Sequence, residues 1–234
     1  MNSIGQGFWE AWRLIITFDP DLYEIIFLSL QVTVAAVIIA SVIGLPFGAW
    51  LAVNRFRFRR YTIAVLNALM GLPPVVVGLF VYMTLSRAGP LGGFGLLFSP
   101  SAMIIAQVII ITPLIASISH QTIRDLWAEY HDLLISMHAT RAQRIMALLW
   151  DGKRALLTAT LAGFGRAIGE VGAIMIVGGN IEHATRVLTT AITLETSKGN
   201  FAFAMGLGLV LIMMAVLVNL LIHTVGKTER TGTW

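Results

Sequence analysis

The apolar residues of this chain are gathered into five blocks, near residues 24–53, 62–85, 102–121, 155–178 and 202–224. Each is about 20 residues or longer, the length a helix needs to cross about 30 Å of hydrocarbon. Inside lipid no water satisfies backbone N–H and C=O groups, so runs of this length fold as helices that bond internally. The expected class is therefore all-α, a polytopic membrane helix bundle of about five transmembrane helices. Composition agrees: of 234 residues 57% are hydrophobic and 12% charged, against about a quarter charged in soluble domains. The absence of cysteine excludes disulfides and thiolate metal sites. No repeat or low-complexity segment is evident, so residues 1–234 read as one transmembrane domain.

Charge sets the expected orientation. Arg55, Arg57, Arg59 and Arg60 follow the first block; Arg124, Arg141, Arg144, Lys153 and Arg154 lie between the third and fourth; Lys227 and Arg230 follow the fifth. The opposite side has only Arg13, Arg87, Arg186 and Lys198. Basic residues mark the cytoplasmic face, which places the N-terminus outside and the C-terminus inside. The net charge of +4 thus reflects topology and gives no support for a nucleic-acid partner. The first residues lack a basic run and a small-residue cleavage site, so no removable signal peptide is expected. Phe8, Trp9, Trp12 and Ile16 fit one face of a short interfacial helix, and a flexible tail fits equally.

Within the spans, small residues recur every fourth position. Ala40, Gly44, Gly48 and Ala52 form one stripe, and Gly165, Gly169 and Ala173 another, each a surface for close backbone packing. Pro46, Pro73, Pro74 and Pro113 should bend or break their helices. Arg166 and Glu170 put opposite charges into the fourth block one helical turn apart, so their side chains can meet on one face and each lowers the cost of burying the other. An isolated charge at mid-bilayer costs at least about 2.5 to 3.5 kcal/mol, so the pair should face protein or a water-filled path. A structural packing role and a role on an anion's path both remain open.

Residues 122–154 are too charged for lipid and too regularly apolar for a disordered linker. Leu126, Tyr130, Leu133, Leu134 and Met137, then Ile145, Leu148 and Leu149, recur at steps of three and four, which predicts amphipathic helices on either side of a break near His138. Such a hairpin docks a partner or lies on its own bundle.

This loop resembles the coupling region of ABC importer permeases, in which an acidic residue and two small residues precede a glycine. Asp132, Leu133 and Leu134 occupy the first three positions, His138 the glycine position, with Met137 and Ala139 beside it, and Trp150 and Asp151 the later Leu-Pro. Further matches are more specific. "LPPVVVGL" (72–79) and "GFGRAIGEVGAIMIVGGNI" (163–181) are similar to molybdate, tungstate and sulfate permeases, and "LTTAITLETSKGNFAFAMGLGL" (188–209) to the tungstate (TupB-type) branch. The resemblance implies the type I importer permease fold with a cytoplasmic coupling helix, import of tungstate or a close oxyanion such as molybdate or sulfate, and a homodimer. It also implies a separate ATPase that holds the ATP and magnesium, and an extracytoplasmic oxyanion-binding protein. A stand-alone ion-coupled transporter is the rival from another class, and a membrane enzyme is a weaker one.

Two motifs mislead. "GKT" (226–228) lacks the glycine of a phosphate-binding loop, since Leu221 stands five residues before the Gly-Lys pair. The chain is therefore expected to hold no cofactor and to be no enzyme by itself. His131 and His138, with Glu129 and Asp132, are two turns apart and read as surface polar residues, so no metal site is expected.

Overall fold

The computed structural model describes residues 20–227, together with Gly5 and Trp9. The proposed interfacial helix of Phe8, Trp12 and Ile16 lies outside the described residues, as do Arg13 and Arg230. Among the described residues there are nine α-helices, one short 3-10 turn at Gly92–Phe94 and no strand. In chain order the helices are α1 (Pro20–Val53), α2 (Arg59–Met70), α3 (Pro74–Leu85), α4 (Pro100–Ser136), α5 (Arg141–Asp151), α6 (Lys153–Ile168), α7 (Gly172–Gly178), α8 (Leu188–Ser197) and α9 (Phe201–Lys227).

Three helices, α1, α4 and α9, are long and apolar enough to cross a membrane. The pairs α2 with α3 and α6 with α7 qualify only as broken spans, interrupted at 71–73 and 169–171. Counting each pair once gives five. Of the four intramembrane prolines, Pro73 and Pro74 coincide with a break, with Pro74 at the first position of α3 where its missing N–H costs nothing. Pro46 and Pro113 do not end their helices, since α1 and α4 continue through them.

The chain divides into two compact units. One comprises residues 36–73 and 108–167. In it the stripe of α1 packs on α4: Ala40, Ala49 and Ala52 are buried, and a Cβ on Gly48 would meet the Ala116 carbonyl and lie 2.7 Å from Ser119 Cβ. Glycine is thus what lets these two backbones approach. Ser119 Oγ uses the closeness, donating to the Leu45 carbonyl at 2.9 Å. A core of Ala49, Ala52, Val53, Ile123, Leu148 and Leu156 ties α1, α4, α5 and α6 together, with Leu45, Leu126, Tyr130 and Ile145 against it.

The other unit comprises residues 1–35, 74–107 and 168–234. Here α3 meets α7 at Gly78, where an added Cβ would lie 2.7 Å from Ala173 Cα. The turn after α7 is fixed by Thr185, whose hydroxyl donates to the Gly178 carbonyl at 2.6 Å and accepts from Ile181 N at 2.9 Å. Ser29 Oγ accepts from Leu188 N, tying the start of α8 to α1. Helices α8 and α9 then pack against each other.

Candidate functional site

The hairpin α4–α5 is built by its caps. At the end of α4, Ala139 N donates to the Leu134 carbonyl and His138 N to the Ile135 carbonyl, at 3.2 and 2.9 Å. This is the two-bond termination that requires a left-handed residue, and His138 has φ +52°. The position that holds glycine in the resembled pattern is thus the one whose backbone favours glycine; histidine tolerates it better than a branched residue does. Thr140 then starts α5 with a reciprocal cap: Gln143 N donates to Thr140 Oγ1, and Thr140 N to Gln143 Oε1 at 2.8 Å. Arg144 Nε closes the turn on the Ala139 carbonyl at 2.8 Å. Two helices joined by so few residues, capped on both sides, form a stiff corner.

Its faces are sorted. Leu148 is fully buried, and Leu134, Ile145 and Leu149 lie half-buried against the core. Leu133, Ile135, Met137, Met146 and Trp150 are exposed, the last at 72%. Asp132 is exposed and bonded to His131 Nδ1 at 2.8 Å. His138 is also exposed, while Ala139 is half-buried. An unpartnered apolar surface on a capped corner can receive a complementary protein surface and transmit its movement.

The intramembrane charges are arranged otherwise than the sequence reading expects. The fourth block is interrupted at 169–171, so Arg166 and Glu170 do not share one helix. Arg166 is exposed in the last turn of α6. Glu170 is buried, its carboxylate accepting from Ala173 N at 3.3 Å and its carbonyl from Thr189 Oγ1 at 3.0 Å. The orphan N–H groups and positive end of a helix suit a carboxylate there. The second small-residue stripe is divided by the same break. Gly165 and Gly169 are exposed and nothing lies within 4 Å of a Cβ on Gly165, whereas Ala173 is packed on Gly78.

Sequence reasoning passed over Thr140, Gln143 and Gly78. The signal for the first two was present, a threonine three residues before a glutamine at the head of an amphipathic run. It also passed over Asp21, Glu24 and His183, which are close enough to share an ion and are all exposed. His183 Nδ1 lies 2.8 Å from Glu24 Oε2, and that hydrogen bond, with the charge of Glu24, raises the imidazole above its ordinary pKa.

A set of membrane-length helices joined by a capped, apolar-faced hairpin defines a multi-pass membrane protein. The chain belongs to the family of binding-protein-dependent transport system inner membrane components, whose model matches residues 44–227. It is 40% identical to the tungstate uptake system permease TupB of Peptoclostridium acidaminophilum, over 96% of this chain and 98% of the relative. A probable anion ABC transporter permease of Haloferax volcanii is 38% identical over 86% and 88% of the two chains. TupB of Campylobacter jejuni is 34% identical over 97% and 95%. Membership in this ABC permease family implies ATPase and binding-protein partners.

Proposed function

We propose that the chain is the membrane-spanning subunit of an ABC importer for tungstate, acting as one permease domain of a homodimer across a bacterial or archaeal inner membrane. The observation that carries this reading is near-full-length identity to two tungstate uptake permeases. The hairpin supports it: Met137, Met146 and Trp150 offer an apolar surface to an ATPase subunit, and the capped turn at His138 and Thr140 passes the push into α4 and α6. The N-terminus lies outside and the C-terminus in the cytoplasm, with Arg55, Arg124 and Arg154 on the cytoplasmic side. This chain has no ATP site of its own. ATP and magnesium reside on the ATPase, and captured anion arrives on a separate binding protein. Exposed Gly165 and Gly169 are left to pack against the second copy.

The test is uptake into proteoliposomes holding this chain with its ATPase and supplied with loaded binding protein. Tungstate should enter only with ATP, and molybdate or sulfate should compete weakly. Preferential uptake of molybdate would move the substrate within the oxyanion group. Uptake by this chain alone would favour an ion-coupled transporter.

A further inference from the structure

Where α1 ends, the unit of residues 36–73 and 108–167 carries an open cavity of about 380 Å³ lined by Arg55, Arg59, Arg124, Trp127, His131 and Asp132. Its charges are unequally matched. Asp132 is bonded to His131 at 2.8 Å, and Arg124 is paired with Asp125, its Nε and Nη2 reaching one carboxylate oxygen at 3.2 and 3.1 Å. Arg59 is held in place by neutral partners: its Nε donates to the Leu51 carbonyl at 2.9 Å, and its Nη2 lies 3.4 Å from His120 Nε2. Arg55 is exposed and has no hydrogen bond or ion pair among the described residues. Two guanidinium groups therefore face the cavity without an acid of their own, one of them already fixed. A guanidinium fork matches the oxygens of a phosphate.

The position of the cavity at the end of α1 points to the carrier of that phosphate. Arg55 follows the last residue of α1 by two positions. Within the last two turns of α1, Phe47 and Trp50 are exposed and stacked at 6.1 Å, and Trp50 stacks on Phe56 at 5.1 Å. Aromatic side chains grouped at the end of an apolar helix mark the membrane–water boundary. Basic pockets at that boundary, between spans, suit anionic lipid headgroups.

We propose that this cavity binds the phosphate of an anionic phospholipid. Bound there, the lipid joins the end of α1, the first residue of α2 and the extension of α4. The proposal rests on the membrane placement of α1 and α4 and is independent of which anion is transported.

The test is native mass spectrometry of the full-length chain released from detergent, titrated with phosphatidylglycerol and with phosphatidylcholine of the same acyl chains. Phosphatidylglycerol should be retained selectively, and Arg55→Gln and Arg59→Gln should each weaken it about fivefold. Arg57→Gln and Arg60→Gln, outside the cavity lining, should leave it unchanged. Equal retention of the two lipids, or equal losses in all four variants, would overturn the site. Displacement by inorganic phosphate would assign it to a soluble oxyanion, and displacement by added ATPase subunit to a protein contact; either overturns the lipid assignment.

Discussion

The backbone N–H of Ala173 donates to the Glu170 carboxylate at 3.3 Å, so the acid that interrupts the fourth apolar block is held by the first turn of a short helix. Its stabilising partner is a helix end, where sequence spacing had pointed to Arg166. Glu170→Ala removes the acceptor and should lower the stability of the purified chain by about 1 kcal/mol or more, read as a fall in Tm in detergent. Glu170→Gln keeps an oxygen at the same place and should retain most of that stability. The exchange of Arg166→Glu with Glu170→Arg should not restore it, because arginine offers no acceptor. Full rescue by the exchange would show that the charge pair is what matters.

The contact of Gly78 with Ala173 sets how closely α3 and α7 approach. Gly78→Val puts two methyl groups where backbone stands 2.7 Å from the first added carbon, and should cost about 1–3 kcal/mol or more as the helices separate. Gly165→Ala enters open space and should leave the stability of the isolated chain within about 0.5 kcal/mol of wild type. A cysteine at Gly165, in a chain with none of its own, should crosslink to a second copy. Its failure to do so would remove α6 from the dimer contact.

How much of this was legible follows from where lipid or water imposed a pattern. The spans could be read because a helix must run about 20 apolar residues to cross a bilayer. The corner at His138 could be read because α4 beyond residue 121 and α5 alternate apolar and charged residues at helical steps. The break at 169–171 could not, since Gly169, Glu170 and Val171 sit in a stretch of small and aliphatic residues where the apolar period vanishes. Prolines were ambiguous in the same way. Pro73 and Pro74 end a helix whereas Pro46 and Pro113 do not, and neighbouring packing decides which. The Arg166–Glu170 spacing misled because spacing carries meaning only along an unbroken helix.

His138 occupies a left-handed conformation at φ +52° that glycine adopts without strain. His138→Gly relieves about 1 kcal/mol of backbone strain and gives part of it back as unfolded-chain entropy, leaving a gain of a few tenths of a kcal/mol. His138→Val should destabilise, and Thr140→Ala, which removes the α5 cap, should cost about 1 kcal/mol. Denaturant midpoints of the three variants check the order Gly, wild type, then Ala and Val.

The His183–Glu24 hydrogen bond holds a proton on the imidazole to higher pH than in the unfolded chain. A raised folded-state pKa contributes stability that is fully present below the ordinary histidine value and is lost as pH rises through the folded value. The Tm difference between wild type and Glu24→Gln should therefore be larger near about pH 6 than near about pH 8.5. A difference that grows with pH would mean the pair is not bonded in solution.

In the proposed transporter an ATPase drives this chain through its exposed hairpin. The direct measurement is ATP-dependent tungstate uptake in vesicles containing the assembled transporter, with wild-type chain and with Met137→Glu combined with Trp150→Glu. Both side chains are exposed, so the variant should fold and reach the membrane at wild-type levels. Its uptake should fall to the level seen without ATP. Undiminished ATP-driven uptake by the double variant would contradict the account.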